Sequence, residues 1–272
     1  MTNEVKFDVF KDSLRPSARM PVLFLGHGSP LYAIDDNAFS QSWKRLGASL
    51  PMPQTILVVS AHWMSSGTTF IDVSRRPKTI HDFGRFPQAL FDVQYPADGN
   101  PELAREVIAI LKAHEVKESD EWGLDHGAWS VLRHLYPEAD VPVFQLSIDM
   151  TASFEKHFEI AQSLKELRER GVLVLGSGNL VHNLREIGLN VPAHDYALEF
   201  DGLTKKWLTD RDFKALQSAP KLGSLMQMAH PTVDHYIPSL YIAALADSKD
   251  DLMFFNEVID MGSMSMRSFI YF

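Results

Sequence analysis

The sequence has no cysteine among its 272 residues. Disulfides, thiolate metal sites and cysteine nucleophiles are therefore excluded, and any metal must be bound through nitrogen and oxygen ligands. No apolar run approaches the roughly 20 residues that span a bilayer, and the mixed charges of residues 1–19 do not resemble a secretory signal. We therefore expect no membrane association and, by default, a cytoplasmic location.

Positive charge is also in short supply, since 26 Lys and Arg stand against 35 Asp and Glu, for a formal net charge of −9. Such an acidic chain lacks the electrostatic footprint of a general nucleic-acid binder. Its hydrophobic content of 45% and charged content of 22% are typical of globular proteins. Because no linker or internal repeat divides the chain, we predict a flexible extension over residues 1–19 and a single domain over 20–272.

Short apolar runs alternate with helical patterns along the chain. The runs are rich in Val, Leu and Ile, as is typical of strands that are covered on both faces. The main runs lie at 21–26, 55–60, 143–148, 172–176, 252–258 and 266–272. Helices are expected at 36–50, 101–114, 130–136, 154–171 and 236–246, with one or two more over 195–217. The alternation predicts an α/β fold, a three-layer sandwich whose mixed, mostly parallel central sheet is flanked by helices.

Three histidines follow such runs: His27 in GHGSP, His62 in SAHW and, four residues on, His182 in GNLVHNL. In open α/β sheets, ligands bind beyond the carboxyl ends of the strands, so these imidazoles are expected at one sheet edge. Neutral imidazole is the commonest nitrogen ligand of metals. The pattern therefore predicts a metal site.

Three carboxylates are candidates to complete a set of two histidines and one carboxylate, the set expected for iron(II) oxygenases: Asp82, Asp125 and Asp234. Asp125 could instead orient the adjacent His126, and Asp234 could cap a helix. A long segment over 74–100 is expected to be functional, because loops of that length are uncommon in compact domains. Four other histidines are expected to be surface or half-buried residues without a role: His114, His134, His157 and His194.

Eight motifs occur in a fixed order from about Met20 onward: GHGSP, SAHW, IHDFGRFPQALFDVQYPA, WGLDHGAWSVL, QLSID, GSGNLVHNL, HPTVDHYIPSL and MGSMSM. Each motif alone is weak, but the ordered set resembles the 4,5-DOPA extradiol dioxygenase family within the class III, LigB-like extradiol ring-cleavage dioxygenases. The resemblance implies that residues 20–272 form one catalytic domain of this type.

The resemblance also implies roles for particular residues. His27 and His62 match the family's paired metal histidines, and His235 matches its third ligand. His182 matches a histidine that is either a fourth ligand or the acid/base residue, and His126 matches one that faces the oxygen and substrate pocket. Substrate-binding residues are expected in the pocket loop and before the last helix: His81, Asp82, Phe83 and His230. Two residues depart from the family pattern: Arg85 stands where Gly is common, and Asp234 where Glu is common.

The implied reaction inserts O₂ into a DOPA-like catechol and gives a muconic semialdehyde. Ferrous iron is the expected cofactor, and zinc is expected in purified protein because it outcompetes ferrous iron at such sites. Two alternatives stay open: a zinc-dependent hydrolase that uses the same histidines, and a non-catalytic metal-binding paralogue. The physiological catechol, 4,5 against 2,3 cleavage, and a homo-oligomeric state are also left open by the sequence.

Overall fold

A computed structural model describes residues 19–272. The extension expected over 1–19 therefore lies outside the described residues, except for Arg19. The Arg19 side chain forms ion pairs with Glu169 (3.2 Å) and Asp250 (3.4 Å). In this described range, no helix is both long and apolar enough to cross a membrane.

Strands and helices alternate through most of the described chain. The strands are β1 (Val22–Gly26), β2 (Thr55–Ser65), β3 (Phe70–Asp72), β4 (Lys117–Ser119), β5 (Val143–Asp149), β6 (Val172–Gly178), β7 (Leu252–Phe255), β8 (Ile259–Asp260), β9 (Met264–Ser265) and β10 (Ser268–Tyr271). The α-helices are α1 (Ala38–Ser49), α2 (Gln88–Phe91), α3 (Pro101–Ile110), α4 (His126–Leu135), α5 (Phe154–Gln162), α6 (Asp195–Asp210), α7 (Phe213–Gln217), α8 (Ser224–Ala229) and α9 (Ile237–Leu245). Short 3₁₀ helices cover Pro30–Ala33, Leu111–His114, Lys165–Arg170 and Ala219–Leu222.

The main sheet has the strand order β4-β3-β5-β2-β6-β1-β10-β7. Its four central strands, β5, β2, β6 and β1, run parallel to one another. By contrast, β10 is antiparallel to both β1 and β7, and β3 is antiparallel to β5. The prediction of a mixed, mostly parallel sheet flanked by helices is confirmed. Strands β8 and β9 form a separate hairpin.

Successive residues of the central strands enter two different hydrophobic cores. On β6, Val172 and Val174 pack into a core shared with α5 and α9, whereas Leu173 and Leu175 pack into a core shared with α1 and α4. Both faces of the sheet are therefore covered, which is why these strands are uniformly apolar in sequence.

Two helices start at residues other than those predicted, and their caps explain the difference. Helix α1 is capped by Asn37 and not by Asp36, since the Asn37 side chain accepts hydrogen bonds from the backbone of Phe39 and Ser40. Helix α4 begins at His126, earlier than predicted, because the Asp125 side chain accepts from the Ala128 backbone. His126 is thus on the first turn of a helix and not in a loop. Helix α8 was not predicted.

Strand β2 is longer than its apolar run and carries His62 within it. The pairing of β2 with β5 shifts register between Val59 and Met64. Irregularities of this kind re-aim side chains at the point where they interrupt a ladder. The prediction that His62 follows the strand is wrong, because the strand continues past it to Ser65.

His157 and His134 are buried, so the prediction that they are surface or half-buried residues is wrong. The His157 ring lies between the Tyr241 hydroxyl and the Asp149 carbonyl oxygen, each at 3.1 Å. Burial lowers the pKa of His157 to about 4, so this ring is neutral and structural. His134 bonds through Nε2 to the Tyr32 carbonyl oxygen at 2.9 Å.

A buried ion pair lies at the end of the sheet away from the histidines. Arg168 Nη1 lies 2.6 Å from Asp250 Oδ2, and both side chains are at most 3% exposed. We expect Asp250→Ala to lower the free energy of unfolding by about 3–5 kcal/mol, because it leaves a buried cation without its partner. Urea denaturation measures this loss, with Asp251→Ala at the adjacent exposed residue as the control. A loss at Asp250 no larger than that of the control would contradict the prediction.

Candidate metal centre

Three histidines converge at the carboxyl edge of the central strands. His27 follows β1, and its backbone N–H donates to the Gly178 carbonyl oxygen (3.1 Å). His235 lies just before α9, and its carbonyl oxygen accepts from the backbone N–H of Asn179 (3.0 Å). A Cβ at Gly178 would lie 2.2 Å from that same carbonyl oxygen. Glycine at the end of β6 is therefore what lets the His235 segment approach the sheet.

The nitrogen atoms of these side chains have the spacing of metal ligands. Candidate ligand atoms of His27, His62 and His235 all lie within 4.8 Å of one another. The Nε2 atoms of His27 and His62 are 3.2 Å apart. Two nitrogens that bind one tetrahedral ion at about 2.0–2.1 Å are separated by roughly 3.3 Å. The donor set therefore fits a metal ion.

The tautomer of His27 follows from its partner. His27 Nδ1 lies 3.0 Å from Ser177 Oγ, and the Ser177 hydroxyl donates to the Gly127 carbonyl oxygen at 2.5 Å. Because the hydroxyl hydrogen is used there, Ser177 accepts from His27 Nδ1–H. The lone pair of His27 is therefore on Nε2, the atom that faces His62.

The other two rings each have a carboxylate beside Nδ1. His62 Nδ1 lies 3.2 Å from Asp82 Oδ2, and His235 Nδ1 donates to the Asp234 carboxylate. Each ring then presents its Nε2 lone pair to the shared centre. An oxygen partner on the remote nitrogen is the usual support of a metal-binding histidine.

All three rings are neutral in the metal-free protein. Burial lowers the pKa of His27 and His235 well below the ordinary histidine value, and neighbouring imidazoles lower it further. Burial and the repulsion from His126 lower the pKa of His62 to about 3, against the opposing attraction of Asp82. Since only neutral imidazole binds a metal, the site is ready for an ion without losing protons.

His182 lies against His235 in a geometry unlike that of a ligand to the same ion. The two rings are stacked, with centroids 3.5 Å apart and planes within 7°. Imidazole lone pairs lie in the ring plane, so the lone pairs of these two parallel, stacked rings do not converge on one point. Burial lowers the pKa of His182 to about 4.

His126 lies beside His62 and shares its carboxylate. The two ring centroids are 3.9 Å apart, and His126 Nδ1 lies 2.9 Å from Asp82 Oδ2. Burial alone would raise the pKa of Asp82, but the hydrogen bond from His126 and the attraction of both imidazoles lower it to about 2. Asp82 is therefore an anion that two imidazoles share.

Asp125, predicted as a partner of His126, forms its hydrogen bonds elsewhere. It is fully buried and accepts from Ser60 Oγ (2.6 Å) and Trp122 Nε1 (3.1 Å). Gly127, two residues after Asp125, has no room for a side chain, since a Cβ would lie 2.9 Å from His62 Cδ2. Asp125 and Gly127 thus let the first turn of α4 lie close to β2, while Asp82 orients the His126 ring.

The residues predicted to bind substrate fall into two groups. Asp82 and Phe83 contact site histidines, and the Phe83 ring meets the His126 ring edge-on with centroids 5.5 Å apart. His81 and His230 bond through Nε2 to backbone carbonyl oxygens, those of Val93 (3.0 Å) and Leu180 (2.8 Å). His230 is also buried. Asp82 and Phe83 therefore contact the site histidines, whereas the Nε2 atoms of His81 and His230 are engaged by backbone carbonyl oxygens.

Ser177 is the site residue that sequence reasoning missed. The available signal was its position between Gly176 and Gly178, where a small hydroxyl can approach a neighbouring ring. Asp82 was predicted as a metal ligand or a substrate-binding residue, and Asp234 as a metal ligand or a helix cap. Their bonds to histidine Nδ1 atoms were not expected.

Arg85 lies in the same loop as Asp82, is exposed and has φ of 63°, a conformation that favours glycine.

Comparison with known proteins agrees with this geometry. Residues 21–263 match the family described as the catalytic LigB subunit of aromatic ring-opening dioxygenase. A protein of Escherichia coli K12 named 4,5-DOPA dioxygenase extradiol is 42% identical, over 95% of this chain and 97% of its own length. The Beta vulgaris protein of the same name is 34% identical, over 90% of this chain and 94% of its own. The crystal structure of an uncharacterized E. coli K12 protein superposes with a TM-score of 0.80 at 37% identity, covering 93% of this chain and 99% of that one.

Proposed function

Because the chain belongs to the LigB family of aromatic ring-opening dioxygenases and is an extradiol dioxygenase, we propose that it opens a DOPA-like catechol at a metal held by His27, His62 and His235. The observation that carries this proposal is the convergence of three neutral imidazoles, each with an oxygen atom beside its Nδ1. O₂ is the second substrate, and the product is a muconic semialdehyde.

Ferrous iron is the metal we propose for the active enzyme. When bound, it lowers the catechol pKa and holds catechol and O₂ in register. A set of three protein ligands leaves coordination positions for both. Imidazole sites also bind zinc tightly, so zinc in purified protein would not identify the active metal.

His182 is proposed to move the proton. As a neutral imidazole beside a ligand, it can take the catechol hydroxyl proton at a ring nitrogen and later return it to the product oxygen. Its stacking on His235 supports this role over that of a fourth ligand. A closed site of four histidines, which would favour a non-catalytic protein, does not match this stacking.

His126 and Phe83 are proposed to form the wall of the substrate pocket. Since His126 Nδ1 is bonded to Asp82, Nε2 is the nitrogen that can exchange a hydrogen bond with the reacting oxygen atoms. The Phe83 ring packs edge-on against His126 and gives the pocket an apolar side that limits access of water.

An oxygen electrode tests the proposed function. Protein loaded anaerobically with ferrous iron is expected to consume O₂ with DOPA, catechol, protocatechuate or caffeate and to form a product with new absorbance, while the zinc-loaded protein does neither. No uptake with any catechol at full iron loading would overturn the proposal. Oxygen-independent hydrolysis of esters or amides by the zinc form would support the hydrolase alternative.

A further inference from the structure

Asp82 accepts two hydrogen bonds from His126, and its carboxylate also lies beside the His62 ring. Its Oδ2 lies 2.9 Å from His126 Nδ1 and 3.2 Å from His62 Nδ1, and its Oδ1 accepts from the His126 backbone N–H at 2.9 Å. The side chain is 15% exposed. Because a carboxylate only accepts, His126 Nδ1 must carry its hydrogen. The anionic oxygen 3.2 Å from His62 Nδ1 attracts a hydrogen on that atom and repels a lone pair, so it favours the same tautomer in His62.

The contacts of Asp82 with His126 are hydrogen bonds and do not indicate a second cation site. His62, Asp82 and His126 are close enough to be considered as a chelating group. The 2.9 Å separation of His126 Nδ1 from Asp82 is, however, an ordinary length for a hydrogen bond to a carboxylate. The backbone N–H of His126 occupies the other Asp82 oxygen as well, which leaves the carboxylate satisfied without an ion.

We propose that Asp82 is a positioning residue that fixes the tautomers of His62 and His126 together, so that both present an Nε2 lone pair. His62 does this toward the metal and His126 toward the pocket. The remote nitrogens of His27 and His235 are bonded to Ser177 and Asp234, each of which serves one of these rings. Asp82 differs because it links a metal ligand to a pocket residue.

The backbone around Asp82 fixes where its carboxylate can lie. Ile80 lies two residues before Asp82. Its backbone N–H donates to the Leu124 carbonyl oxygen (2.7 Å), and its carbonyl oxygen accepts from Trp129 Nε1 (2.8 Å). The following residue, Phe83, packs on His126. The 74–100 loop is therefore joined to the centre through Asp82, and a change there alters both metal binding and the pocket.

The test uses Asp82→Asn, which keeps the shape but replaces one acceptor oxygen with a donor. In the metal-free protein, long-range ¹H–¹⁵N NMR is expected to show His62 and His126 as Nδ1–H tautomers in the wild type and to show both changed in the variant. Anaerobic titration with Co²⁺ is expected to show an affinity lower by about 10–100-fold, and kcat with saturating metal is expected to fall as well. Asp92→Asn is the matched control, since Asp92 is exposed on the same loop and bonds to Gln88.

Three results would overturn the proposal: unchanged tautomers with wild-type Co²⁺ affinity in Asp82→Asn, wild-type rings found as Nε2–H, or two Co²⁺ per wild-type chain with one lost in the variant. The second result is measured on the wild type, so the proposal can still be tested if Asp82→Asn does not fold. The role of Asp82 in turnover rests on the proposed dioxygenase function, whereas the tautomers and the affinity do not. An inactive wild type with the expected NMR and Co²⁺ results would therefore reject the function alone.

Discussion

His235→Ala is expected to lower the affinity for ferrous or cobaltous ion by more than about 100-fold. Loss of a residue that only supports a metal ligand lowers the affinity by up to about 100-fold, and loss of the ligand itself should cost more. Because the metal is lost, the rate of ring cleavage is expected to fall to background. His235 supplies one of three Nε2 lone pairs, and its removal also leaves the Asp234 carboxylate without its imidazole partner. Two imidazoles then remain, His27 and His62, which are too few ligands to hold the ion.

Anaerobic Co²⁺ titration and metal analysis after desalting measure the effect of His235→Ala. His194→Ala is the control, because His194 bonds through Nε2 to the Glu186 carbonyl oxygen at 3.1 Å and supplies no site nitrogen. If the His235 variant binds metal as the wild type does, the third ligand is another group, and the carboxylates of Asp82 and Asp234 become the candidates.

His182→Gln is expected to lower kcat by about 10²–10⁴-fold, the usual contribution of a general acid or base, while metal affinity stays unchanged. Glutamine keeps a polar side chain of similar reach, but its amide cannot take up a proton and return it. The stacking of His182 on His235 is the reason to expect that the metal is retained. The same stacking is the reason to test glutamine before alanine, since glutamine disturbs the neighbouring ring less.

Steady-state oxygen uptake at saturating metal measures the His182 effect. A loss confined to kcat identifies an interaction made in the transition state. Loss of the metal together with turnover would make His182 a fourth ligand instead. Unchanged turnover would remove it from the proton-transfer steps.

The central sheet and two of the three proposed ligands were predictable from local sequence. Strands covered on both faces are continuous apolar runs, and the carboxyl ends of parallel strands meet at one edge. That reasoning placed His27 and His62 together, and they lie with Nε2 atoms 3.2 Å apart. The long 74–100 segment was expected to be functional, and two of its residues, Asp82 and Phe83, lie in contact with His126.

The rest of the site depends on tertiary contacts that no local pattern records. His235 follows no strand, and it reaches the edge because α9 packs against β6 and its segment crosses Gly178. In this chain the family resemblance, and not periodicity, pointed to His235. Asp82 could be recognised as a nearby carboxylate, but which ring nitrogen it bonds depends on the loop's path. His157 was misjudged because charged neighbours on α5 suggested exposure, whereas α9 covers it.

The place of β1 in the sheet has a consequence for biosynthesis. The strand that leads into His27 lies between β6 and β10, and Gly26 donates to Ser268 across 242 positions of the chain. Contacts of such long sequence separation form late and slowly. The ribosome must therefore release almost all of the described chain before β1 has both neighbours and His27 a fixed position. We expect the histidine cluster to acquire its ion after translation, on a chain that has already closed its sheet.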